Sequence, residues 1–129
     1  MKRLPPYAET LGLRLAGRDG GAPVLAMPFG EGVIGRPGFL HGGAIAGMLE
    51  MAAIMALHAE FDDQSDKPRF KPVNITVDFM RGGRDHETRA VGIVQRIGTR
   101  IANVEAIAWQ DDRKRPIAAA RMTIRVLRD

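Results

Sequence analysis

The sequence predicts an α+β fold in which one antiparallel sheet wraps around a single long helix. Three observations lead there. Residues 39–61, FLHGGAIAGMLEMAAIMALHAEF, are almost wholly apolar and rich in helix formers. Beyond residue 73 the apolar period drops from that of a helix to two. The period-two stretches are joined by short polar turns, which suit antiparallel neighbours. Short strands, one helix and then four strands make a sheet of about five or six strands.

In chain order, Leu11, Leu13 and Leu15, then residues 24–29, read as one or two short strands. Pro37, Gly38, Gly42 and Gly43 punctuate the approach to the helix. Ala44, Ile45, Met48, Leu49, Ala52, Ala53, Met55, Ala56 and Leu57 cover nearly its whole circumference, so it should be surrounded rather than lie on a surface. The polar run at 62–66 and Pro68 end it. Val73, Ile75, Val77 and Phe79 then alternate with Asn74, Thr76 and Asp78. GGRD at 82–85 is a turn signal. Residues 87–97 and 100–110 read as two strands broken at Gly98 by a bulge or tight turn. DDRKR at 111–115 is a polar connection. In the last strand Ala118, Ala120, Met122, Ile124 and Val126 face in, and Arg121, Thr123 and Arg125 face out.

Composition narrows the chemistry. The 129 residues suit one domain, 1–129, with a single core. Cysteine is absent, which excludes disulfides, thiolate nucleophiles and zinc–thiolate sites. The net charge of +4 and pI near 10.1 admit nucleic acid, a membrane surface or an anionic small molecule. The 19 Lys and Arg are scattered and aromatics make up only 5%, so no nucleic-acid partner is expected. Glu50, His41, His58 and several glycines argue against a membrane span at 39–61. The first residues lack a continuous apolar core and a small-residue cleavage site, so a cytoplasmic location is expected.

Glu50 carries the functional question, because a carboxylate in an apolar helix is expensive unless it is paired or used. It is either a structural partner of an Arg or a base, made stronger by apolar surroundings once ionised. His41-Gly42-Gly43 stands at the helix start, where backbone N–H groups lack partners and the dipole is positive. The glycines either shape a tight turn or let an oxygen with developing negative charge approach the Gly42 N–H. Gly42 and Glu50 are eight residues apart, so they differ by about 12 Å along the axis and cannot touch one carbonyl. A two-fold dimer with shared sites satisfies both.

HGGAIAGMLE, followed by VNITVDFMRGG and a strand-rich second half, resembles the hotdog-fold acyl-CoA thioesterases. The likeness covers residues 30–127 and is nearest the phenylacetic-acid-degradation type of the 4-hydroxybenzoyl-CoA thioesterase superfamily. The resemblance implies that His41 helps set the site around the thioester carbonyl and that the Gly42 N–H, beside Gly43, polarises it. Glu50 of the neighbouring subunit would attack that carbonyl or activate water. It further implies a central helix inside the sheet and dimers pairing into tetramers. Coenzyme A would be part of the substrate rather than a retained cofactor, and no metal is needed. Arg81, Arg84, Arg96 and Arg100 would meet the coenzyme's phosphates. Relatives often carry Asn or Gln where Gly35 stands and Ser or Thr where Ile54 stands, so two polar helpers are missing. An acyl-CoA-binding protein without turnover is the alternative, and a hydratase of the same fold a more distant one. Outside this set, His58 reads as a partner of the helix C-terminus and His86 as a turn or strand-surface residue. Asn74 and Asp78 share a strand face with access to the cleft or to solvent. Met48, Met51 and Met55 offer a soft acyl pocket or core filling.

Overall fold

The computed structural model describes residues 4–128. A short helix, α1 (Pro6–Thr10), precedes a hairpin of β1 (Arg14–Asp19) and β2 (Ala22–Met27). A 3-10 turn at Glu31–Val33 leads to the long helix α2 (Gly42–Ala59). Four strands follow: β3 (Arg69–Phe79), β4 (Thr88–Ile97), β5 (Ile101–Trp109) and β6 (Ala118–Leu127). They form one antiparallel six-stranded sheet in the order β1-β2-β4-β5-β6-β3, with α2 packed across it.

Local chemistry accounts for the elements. Pro6 opens α1 at a helix's first position, where a missing N–H costs nothing. The β1–β2 hairpin closes on Gly20 and Gly21, both with positive φ, as a two-residue turn of right-handed strand twist demands. Gly98 forms the tight turn between β4 and β5, its N–H bonded to the Ile101 carbonyl at 2.8 Å. The expected alternation of β6 holds, with Ala118, Ala120, Met122, Ile124 and Val126 buried. The helix meets the sheet closely at Gly92. A Cβ there would lie 2.5 Å from the Ala52 carbonyl oxygen and 2.7 Å from Ala56.

Three expectations are corrected. Leu11 and Leu13 do not begin a strand, since Leu11 caps α1 and β1 starts at Arg14. The alternation through Val73 is interrupted, because Pro72 and Asn74 pair with the consecutive residues Ile124 and Thr123, leaving Val73 as an extra, bulged residue. The bulge shifts the inward set from Phe70 and Pro72 to Ile75, Val77 and Phe79, opposite Met122, Ala120 and Ala118. Nor is α2 surrounded. Gly43, Ala46, Gly47, Glu50, Ile54 and His58 form a stripe that is not fully buried, since an open sheet covers only part of a helix. By length and apolarity α2 would also qualify as a membrane span; here its buried face is the core of the sheet.

Candidate active site

The two glycines that open α2 do different work. His41 precedes the first helical residue with extended backbone, and its Nδ1 accepts the Gly43 N–H at 2.8 Å. A Cβ at Gly43 would lie 2.9 Å from that nitrogen, so glycine is what lets the imidazole close over its own helix. The His41 carbonyl accepts from Ala44 and Ile45. Among the described residues the Gly42 N–H has no backbone acceptor. It lies at the positive end of the helix. Gly42 helps line an open cavity of about 320 Å³ whose other walls include Leu40, Ile45, Phe79 and Met80. The Phe79 ring packs 3.5 Å from where a Gly42 Cβ would stand.

Two loops hold this corner. The Leu40 N–H bonds the Gly83 carbonyl at 2.9 Å, and the His41 N–H bonds that of Val33 at 2.8 Å. Gly35 backs onto His41, where a Cβ would sit 3.1 Å from the His41 Cα; it offers the site no polar side chain. Gln110 fixes the loop after β3. Its Oε1 accepts the Arg84 N–H at 2.9 Å, and its Nε2 donates to the carbonyls of Arg84 and His86 and to Thr88 Oγ1. Neither Gln110 nor the Phe79 cover was singled out in the sequence, because both depend on strands meeting at one end of the sheet.

The four arginines do not form one cluster. Arg84 and Arg36 both stack on the Phe39 ring, at 4.4 and 4.0 Å from its centroid, and Arg81 donates to the Pro116 carbonyl at 3.3 Å. Arg81 lines the Gly42 cavity, and the Phe39 ring that carries Arg84 and Arg36 packs on Gly82 of the cavity's wall. Arg96 and Arg100 flank the β4–β5 turn at the other end of the sheet, a strand's length or about 30 Å away.

Glu50 is half-buried on the open stripe of α2, and it forms no hydrogen bond or ion pair among the described residues. An Arg partner is therefore not what holds it. Ile54 lies one turn further along the stripe. Asp78 pairs with Arg121 on the outer sheet face, and Asn74 sits on that face beside Thr123, so neither lines the Gly42 cleft. Met48, Met51 and Met55 are buried in the core. His86 is a loop residue bonded through its backbone. His58 meets Phe70 edge-on at 4.7 Å, and burial holds its pKa below the usual 6.5, with Lys67 adding to the shift and Asp62 opposing it. Burial thus favours the neutral ring over the cation that the helix end would attract. No group of three or more His, Asp or Glu placed to hold a metal occurs among the described residues.

A six-stranded antiparallel sheet around one helix, with a cleft lined by the glycine that opens that helix, is the hotdog architecture of thioester hydrolases. The chain belongs to the thioesterase superfamily, whose family model matches residues 37–117. A solved structure from Chromobacterium violaceum is 32% identical, over 96% of this chain and 84% of that one, with a TM-score of 0.73. AziG of S. sahachiroi shares 22% identity over 98% and 100% of the two chains, with a TM-score of 0.85. A phenylacetic acid degradation-related protein of Ralstonia eutropha shares 23% over 96% and 92%, with a TM-score of 0.81. No curated protein matches the chain.

Proposed function

We propose that the protein hydrolyses an acyl-CoA thioester to the free acid and coenzyme A, at two sites shared across a homodimer that pairs further into a tetramer. The observation that carries this reading is the unpartnered Gly42 N–H at the apolar cleft. A thioester oxygen placed there gains a fixed donor and the helix dipole as its negative charge develops. The acyl chain lies against Leu40, Ile45, Phe79 and Met80, and Arg81 on the cavity wall, with Arg84 and Arg36 on the Phe39 ring, meets an anionic carrier. Glu50 acts as general base or nucleophile. As base, it takes a proton from water while the water oxygen bonds the carbonyl carbon; the tetrahedral oxyanion then collapses and the C–S bond breaks, releasing the thiolate. Coenzyme A enters as part of the substrate, and the chemistry calls for no metal. The scattered charges give no nucleic-acid face, and the proposed setting is cytoplasmic.

Glu50 is too far along α2 to serve its own Gly42, so the second subunit supplies it. Both residues stand four positions from Ala46. A two-fold axis at that level, with antiparallel helices, brings each Gly42 level with the partner's acid. The free edge of β3 and the loop beyond it present Val73, Phe79 and Met80 for a second copy to cover.

The test is thiol release from a panel of acyl-CoA esters. Glu50→Gln is expected to lose about 10²–10⁴-fold in kcat. Equal, slow rates for both proteins on every thioester would overturn the proposal. Gly35 and Ile54, which bring no polar group, favour a second reading as an acyl-CoA-binding protein. Tight binding without turnover is the outcome that selects it.

A further inference from the structure

We propose that Tyr7 is a positioning residue of the Glu50 site, its phenol hydroxyl holding the water on which the carboxylate acts; this rests on the hydrolytic reading above. The evidence is a close packing between α1 and α2. A Cβ at Gly47 would lie 2.8 Å from both Cε2 and Oη of Tyr7. The Tyr7 ring therefore lies directly on α2, and glycine makes the room. Glu50 follows three residues later on the same open stripe. Cβ positions at that spacing are about 5–6 Å apart. Side chains on a helix lean toward its N-terminus, so the Glu50 carboxylate leans back over the turn that Tyr7 covers.

The hydroxyl is available for this work. The Tyr7 side chain makes no hydrogen bond among the described residues, and the residue is 48% exposed. Gly43, Ala46, Gly47 and Ile54 bring no polar side chain to the stripe. A carboxylate can deprotonate water, but a second hydrogen bond is needed to aim the oxygen at the carbonyl carbon. The packing carries a phenol to that place.

Two variants of the full chain separate hydroxyl from ring. Tyr7→Phe keeps the ring and removes the oxygen. Gly47→Ala keeps the oxygen but pushes the ring away, while alanine favours the helix. Both are expected to lower kcat about tenfold, the worth of one hydrogen bond, with KM within about twofold and thermal stability held. A second readout needs no turnover: the Tyr7 13Cζ resonance is expected to move in Glu50→Gln. Wild-type kcat in Tyr7→Phe, or an unmoved resonance, overturns the proposal. Should the wild type cleave no thioester, the proposed function fails on that result, and the resonance alone decides whether Tyr7 and Glu50 share one network.

Discussion

Gly42 reduces the chemical proposal to a single N–H, and the residue's position allows that group to be deleted cleanly. Proline is tolerated at the first helical position. His41 already has the extended backbone, ψ 133°, that a residue before proline adopts. The nearest atoms to a Gly42 Cβ, on the Phe79 ring, are at an ordinary 3.5 Å. Gly42→Pro is therefore expected to keep its circular dichroism and melting temperature while kcat falls about 10²–10³-fold. Wild-type turnover would show that the N–H is not the oxyanion donor. His41, Gly42, Gly43 and Glu50 were all legible in the sequence as a set. The Gly42 N–H was legible as the donor; that the Gly43 N–H is taken by His41 Nδ1 was not, because that depends on an imidazole rotamer. Pro5-Pro6 before Tyr7 is a usable helix-start signal, but the docking of the Tyr7 ring on Gly47 has no local pattern.

At the scale of elements, α2 and β3 depart from their sequence patterns in ways that matter. The helix reads as apolar all round, yet the sheet leaves its Glu50 stripe open. The strand reads as strict alternation, yet a bulge at Val73 resets its parity and turns Phe79 toward Gly42. Period-two counting cannot see an inserted residue, since only the partner strand defines the register. At the other end of α2, burial against Phe70 makes His58 bind its proton less tightly than the unfolded chain does. Its contribution to stability is present above the unfolded value of 6.5 and is lost as pH falls below it toward the depressed folded value. The urea midpoint is expected to drop between pH 8 and pH 5.5, and to drop less in His58→Gln. An identical drop in both proteins would assign the effect to other groups.

The whole molecule must answer for the 12 Å between the two key residues. Shared sites make a distinctive prediction for mixed protomers. Glu50→Gln and Gly42→Pro subunits, each inactive alone, are expected to regain about a quarter of wild-type activity when equal amounts are mixed and exchanged. Half the dimers are then mixed, and each mixed dimer holds one intact site. No recovery would place both groups in one chain. Loss of activity on dilution below the dimer's dissociation constant is the corresponding expectation for the β3 edge, where Val73 and Phe79 stand exposed.

The sequence alone determined the fold class, the order of the long helix and the four strands after it, and the candidate residues, because helical and period-two patterns and a glycine pair before a helix are local signals. Tertiary structure decided that His41 takes the Gly43 N–H, which helix face stayed open, which arginine lines the Gly42 cavity and what lies beside Glu50. Those depend on strands and loops distant in the chain meeting at one end of the sheet, and no local pattern encodes such a meeting.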